Sequence, residues 1–168
     1  MFVLAARPWT GHSVDTGLRS EVALTNAFVQ LGYPVFLPVG HNHRYDLVLE
    51  VDGRFLRVQC KTGRLRDGVI RFNTVSTRSN RTDVLRRGYA GEVDAFAIWC
   101  PQNEMGYFVP VGDLATGIGT LRVAPAANNQ RRGVRWAADY VLPAPRTAGP
   151  RTGFEPATPV LQERCSTN

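Results

Sequence analysis

The chain has 168 residues, 43% of them hydrophobic and 20% charged, which suits a soluble domain with a real core. A net charge of +6 and a pI of about 9.8 point to a polyanionic partner, nucleic acid first, although arginine-rich coding alone can raise both values. Three widely spaced cysteines, Cys60, Cys100 and Cys165, with no C-x-x-C pair, exclude a disulfide framework and a zinc ribbon. No apolar run is long enough to cross a membrane, and the start "MFVLAARPW" lacks the basic region of a signal peptide. A cytoplasmic location with reduced thiols is therefore expected.

Residues 1–16 carry no clear period and read as an N-terminal arm. From Gly17 to Leu31 the pattern is helical, with Leu24, Ala27, Phe28 and Leu31 on one stripe and Gly32 as its stop. Glu21 falls near that inward stripe, where a carboxylate is expensive unless something pairs with it or binds it. "PVFLPVG" reads as a short strand running into the loop "HNHR", whose His41 and His43 lack a third partner and read as surface residues.

Next comes "YDLVLEVDGRFLRVQCK", where Asp52-Gly53 is a two-residue hairpin signal between two apolar runs. Such a loop sets Val51 opposite Arg54 and Asp46 opposite Gln59. Alternation places Asp46, Val48, Glu50, Phe55, Arg57, Gln59 and Lys61 on one face, and Leu47, Leu49, Val51, Leu56, Val58 and Cys60 on a core face. Cys60 is thus assigned packing and no thiol chemistry. Further strands are expected at 68–73, 94–100 and 106–111, with a polar, arginine-rich connection over 74–92. A short helical turn at "VGDLA", a last strand at "TLRVA", and a basic loop leading to a helical turn in "NNQRRGVRWAADY" complete the pattern. Phe96, Trp99 and Tyr107 read as core, and Glu92 and Asp94 as structural groups flanking a strand.

From Pro143 the composition shifts to Pro, Arg, Thr and Gly, so 143–168 reads as a disordered tail. Back-translated, "GFEPATPVLQERCSTN" resembles the complement of tRNA T-arm and D-arm sequence, which suggests the hypothesis of read-through across a tRNA gene. Genomic DNA without a tRNA gene at that place would refute it.

Lys61 is the one lysine among twenty basic residues. Asp46 and Gln59 are expected about 5 Å apart at Cβ across the hairpin, and Lys61 follows roughly 6.6 Å along the same face. A hard anionic oxygen beside a neutral one, with the Cys60 backbone carbonyl near, suits Mg²⁺, and Mn²⁺ as its substitute. A lysine is a compact cation whose pKa the surroundings can lower, whereas arginine is a planar fork that keeps its proton. The other reading of the same spacing is a solvated strand face with an ordinary lysine.

Asp, a hairpin, then Gln-x-Lys resembles the PD-(D/E)XK nuclease signature, with Gln in place of the acidic residue. More narrowly the chain resembles the group I intron-associated PD-(D/E)XK endonuclease family, which includes homing endonucleases. The matching stretches are "LGYPVFLPVGHNHRYDLV", "RVQCKTGR", "RRGYAGEVDAFAIWCP", "YFVPV" and "NNQRRGVRWAADY", together spanning about 17–142. The resemblance implies an α/β fold of restriction-endonuclease type, a mixed central sheet with a flanking helix. It implies Glu21 and Asp46 as metal ligands, Gln59 at the third ligand position and Lys61 as the catalytic lysine. Tyr45 stands where the family name has Pro, and Gln59 removes one negative charge from the metal position.

The implied activity is Mg²⁺-dependent hydrolysis of double-stranded DNA by a homo-oligomer, a dimer or tetramer, with a homing enzyme of a mobile element among the roles the resemblance implies. A DNA-binding module with weakened cleavage and a structure-selective junction nuclease are the alternatives. Arg64, Arg66, Arg71, Arg78, Arg81, Arg86 and Arg87 follow the site strand and are expected to contact DNA, mostly at phosphates. Asn128, Asn129, Arg131 and Arg132 form a second basic loop expected to do the same.

Overall fold

Helix α1 (Ser13–Gln30) begins four residues earlier than its apolar stripe indicates, inside what the sequence reads as the arm. The computed structural model describes residues 13–40, 42–79, 84–125 and 133–143. Most of the arm and the tail, His41, Arg81, Asn128, Asn129, Arg131, Arg132 and Cys165 lie outside the described residues, as does the side chain of Arg78. The helix closes as its sequence requires. Gly32 takes φ +86°, Tyr33 N–H reaches back to the Phe28 carbonyl at 3.1 Å, and Gly32 N–H to that of Val29 at 3.0 Å. The Phe28 and Tyr33 rings meet edge to face across this cap.

Five strands form the central sheet: β1 (Val35–Phe36), β2 (Leu47–Val51), β3 (Arg54–Thr62), β8 (Ala95–Cys100) and β9 (Met105–Pro110), in the order β1-β2-β3-β8-β9. The β3–β8 pair is parallel and the others antiparallel, so the sheet is mixed, as expected. Leu47 faces Val58 and Val51 faces Arg54, in the register that a two-residue turn demands. Asp52 and Gly53 both have positive φ, +50° and +72°, which is the twist that favours tight hairpins.

Two apolar layers sandwich this sheet. On one side α1 sets Leu24 and Phe28 against Leu47, Leu49, Val58, Cys60 and Ala97, nearly the core face read from the alternation. On the other, Phe96, Ile98, Tyr107 and Val109 pack against Ile70, Phe72 and Leu121. Those last three belong to a small antiparallel sheet of β4 (Arg64–Arg66), β5 (Val69–Asn73) and β10 (Ile118–Arg122). The turn between β4 and β5, Asp67-Gly68, repeats the Asp52-Gly53 geometry with φ +51° and +71°.

The polar, arginine-rich connection, for which no strand was expected, contains an antiparallel pair, β6 (Val75–Ser79) with β7 (Val84–Gly88). Its residues alternate too weakly in hydrophobicity to announce a strand, because only part of either face is buried. Turns of 3₁₀ type at Val111–Asp113 and Ala137–Tyr140 stand where helical turns were expected. Among the described residues no helix is long and apolar enough to cross a membrane.

Asp94 fastens the parallel pair at its start. Its Oδ2 accepts the Arg57 backbone N–H at 2.7 Å, its Oδ1 accepts Arg57 Nη2 at 3.0 Å, and its own N–H donates to the Arg57 carbonyl at 2.9 Å. These bonds from Arg57 hold the Asp94 carboxyl below the usual carboxylate range. Asp94→Ala leaves a strand N–H without its acceptor, and a loss of about 1 kcal/mol is expected after allowing for solvent screening at this half-exposed pair. Because the folded pKa is depressed, this contribution is present above the unfolded carboxylate pKa and disappears as pH falls through the folded one. Thermal melts of wild type and Asp94→Ala should therefore differ at neutral pH and converge in acid.

Candidate active site

The β2–β3 ladder ends at the pair Leu47–Val58, one step before the residues of interest. Past that point β3 continues alone on this edge, and a side chain replaces the missing strand. Asp46 Oδ2 accepts the Cys60 backbone N–H at 2.7 Å and also a hydrogen bond from Gln59 Nε2. The Asp46 carboxylate thus lies partly in the sheet plane, capping the ladder, rather than merely facing Gln59 across it. Its Oδ1 has no partner among the described residues. Burial pushes the Asp46 carboxyl above its ordinary range, against opposing pulls from the Cys60 N–H, the Lys61 charge and Gln59.

Glu21 projects from α1 toward the same strand end. Burial raises its carboxyl, and the nearby Asp46 charge raises it further. The adjacent Ser20 fixes this part of the helix, its hydroxyl 2.7 Å from that of Thr62 at the end of β3. Cys60 lies among the charges: burial, then Asp46 and Glu21, push its thiol far up, and Lys61 pulls it down. An unreactive buried thiol is what the core-face reading required.

Gln59, only 8% exposed, spends its amide N–H₂ on Asp46 and, at 3.4 Å, on the Cys60 carbonyl. It therefore links two of the oxygens named as ligands. Lys61 donates to the Tyr89 hydroxyl at 3.0 Å and lies 4.8 Å from the centre of that ring. Tyr89 was given no role from the sequence. It sits in a turn before β8, 28 positions from Lys61, and no local pattern can signal such a reach.

Two separate cavities lie beside this part of the sheet, with no lining residue in common. Glu21 and Asp46 line one of about 330 Å³ together with Asn42, His43 and Tyr45. His43 is exposed, as the surface reading expects, and its Nε2 lies 2.9 Å from the Val39 carbonyl. Lys61 lines the other, a cleft of about 690 Å³, with Tyr89, Ser76, Asn73 and three of the expected DNA-contacting arginines, Arg64, Arg66 and Arg71. Arg64 stands directly across from Arg71 in the small sheet, so these share a face. Arg86 and Arg87 lie on β7 outside that lining, and Arg87 is paired with Glu92. Glu92 also holds Arg44 at 2.5 Å, which makes it the structural group the sequence suggested.

A sequence profile described as PD-(D/E)XK endonuclease matches residues 12–143, most of the chain. The chain belongs to the PD-(D/E)XK endonuclease family. Protein 5.3 of Escherichia phage T7 is 33% identical over 76 residues, 45% of this chain and 57% of that protein, so the match spans little more than half of the relative. A bacterial homing endonuclease, I-Ssp6803I, shares the fold with a TM-score of 0.65 at 24% identity, over 78% of this chain and 89% of that one.

Members of such a family generally use a divalent cation, and the donors present fit one. Burial raises both half-buried carboxyls, and the Asp46 charge raises Glu21 further, a cost that a cation between them relieves. No group of three or more His, Cys, Asp or Glu side chains is gathered among the described residues. A cation here would be held by Asp46 and Glu21 and completed by neutral oxygens, as Mg²⁺ accepts.

Proposed function

We propose that this PD-(D/E)XK endonuclease hydrolyses phosphodiester bonds of double-stranded DNA with Mg²⁺, Mn²⁺ serving in its place. The observation that carries this reading is that one strand end, where Asp46 accepts the Cys60 N–H and opens with Glu21 into one cavity, also carries Lys61 in an arginine-lined cleft. When bound, the metal supplies Lewis-acid polarisation of a phosphoryl oxygen and a more acidic water. Asp46, pinned by the Cys60 N–H, keeps its free oxygen aimed at one place without reorganisation. Lys61 puts a point charge where negative charge develops on the phosphate, and Arg64, Arg66 and Arg71 hold the backbone of the bound strand.

A role as a homing endonuclease of a mobile element, group I introns included, draws support from the fold shared with I-Ssp6803I. Work as a homo-oligomer suits cleavage of both strands. The outward stripe of α1, Val14, Leu18, Val22 and Val29, is more than half exposed and offers an apolar surface for a second copy. Supercoiled plasmid should be nicked in Mg²⁺ and left intact in EDTA. Binding without nicking, at any divalent-ion concentration, would contradict the proposal and favour a DNA-binding module, the reading that Gln59 supports by lacking a charge.

Gln59 yields a separate prediction. As glutamine it donates to Asp46; as glutamate it would set a third carboxylate against two raised ones. Gln59→Glu is expected to lower the melting temperature in EDTA by several degrees, for a cost of about 1–3 kcal/mol. Mg²⁺ should restore most of it, so the variant's melting temperature becomes far more Mg²⁺-dependent than that of wild type. Differential scanning fluorimetry across a Mg²⁺ series reads this directly.

A further inference from the structure

We propose that Tyr89 is a positioning residue that holds the Lys61 ammonium in its working place; this rests on the nuclease reading of the site. Tyr89 is 5% exposed, and its hydroxyl accepts the Lys61 Nζ hydrogen bond at 3.0 Å. Among the described residues Lys61 forms no ion pair, so a neutral oxygen, not a carboxylate, fixes the cation. That difference matters chemically. A carboxylate partner would cancel the charge that the phosphate needs, whereas a hydroxyl oxygen orients the ammonium and leaves its charge unspent. An ammonium carries three N–H donors, so two remain for substrate or water.

The phenol is itself immobilised on several sides. Its ring meets Phe96 edge to face at 5.4 Å, and the Arg44 guanidinium lies 4.1 Å from its centre. Arg44 is in turn tied to Glu92 at 2.5 Å, to Ser76 Oγ at 2.7 Å and to the Gly88 carbonyl at 2.5 Å. The Tyr89 carbonyl accepts the N–H groups of Glu92 at 3.0 Å and Val93 at 3.2 Å. Lysine has four rotatable side-chain bonds and loses much freedom when fixed. A rigid acceptor meets that cost before substrate arrives, which is the use of preorganisation.

Tyr89→Phe keeps the ring and its contacts and removes the acceptor alone. Under the nuclease reading, kcat for plasmid nicking should fall about 10–100-fold while KM stays within about twofold, because the loss is felt in the transition state. The melting temperature should stay close to that of wild type. A second readout needs no activity. Because Lys61 is the only lysine, nitrogen-15 labelling of lysine Nζ gives one side-chain ammonium signal. In wild type its hydrogen exchange should be slowed enough for the signal to be seen, and in Tyr89→Phe it should vanish. A wild-type signal lost to fast exchange, or a Tyr89→Phe protein that cuts at the wild-type rate, overturns the inference while the nuclease reading stands. A wild type with the slowed signal that cuts no DNA in Mg²⁺ overturns the nuclease reading and the positioning role with it.

Discussion

Lys61→Ala is expected to slow Mg²⁺-dependent DNA cleavage by about 10²–10³-fold, the usual effect of removing one preorganised charge from a phosphoryl-transfer site. Affinity for duplex DNA should change little, since the cleft keeps Arg64, Arg66 and Arg71. Lys61→Arg should not rescue the activity, although it preserves charge. The Tyr89 hydroxyl sits 3.0 Å from a compact ammonium, and a planar fork two atoms larger cannot occupy the same place against a buried ring. The same argument accounts for a single lysine surviving among nineteen arginines. Plasmid nicking beside a fluorescence-anisotropy measurement of DNA binding separates the two effects. Equal cleavage by Lys61→Arg and wild type would show that charge alone suffices and that the contact with Tyr89 is incidental.

The second large effect belongs to Asp46. Asp46→Asn should abolish detectable cleavage, because an amide oxygen is a far weaker ligand for a hard cation than a carboxylate. The fold should survive, since the Asn oxygen can still accept the Cys60 N–H that Asp46 Oδ2 accepts at 2.7 Å. Asp46→Ala differs in exactly this respect. It leaves the Cys60 N–H without a partner at the open end of the ladder, a cost of about 1–3 kcal/mol. Activity assays cannot distinguish the two variants, but thermal melts should: Asn near wild type, Ala clearly lower. Equal melting temperatures would mean that the Asp46 cap contributes nothing to the strand.

Much of this arrangement was legible in the sequence because local rules carried it. Asp52-Gly53 sets the hairpin register, and that register alone brings Asp46 to the level of Gln59. The alternation around it separates Leu47, Leu49, Val58 and Cys60 from the polar face, and helical spacing points Leu24 and Phe28 at them. Gly32 ends the helix by a geometry that few other residues adopt. Where burial is partial, the pattern fades. Strands β6 and β7 carry mostly polar residues and give no strand signal, and β4 is a three-residue strand that only Asp67-Gly68 announces.

The finer geometry of the site depends on distance through space. Nothing local shows that Asp46 replaces a strand partner for Cys60, since that requires knowing where β2 stops pairing. Nor does spacing reveal that the two carboxylates open into one cavity and Lys61 into another. Tyr89 and Arg44 come from a turn and a loop on opposite sides of β3, and only the folded chain stacks one on the other. The arginines behaved differently again. Their clustering in sequence was plain, yet the fold gathers Arg64, Arg66 and Arg71 in the cleft and turns Arg87 to Glu92.

The most direct test of the site is crystallographic. Crystals soaked in Mn²⁺ and measured at the manganese absorption edge should show an anomalous peak within coordination distance of Asp46 and Glu21, and Asp46→Asn crystals should lose it. A peak elsewhere, or none at Asp46 under saturating Mn²⁺, would contradict the assignment of these two carboxylates as the metal-binding heart of the enzyme.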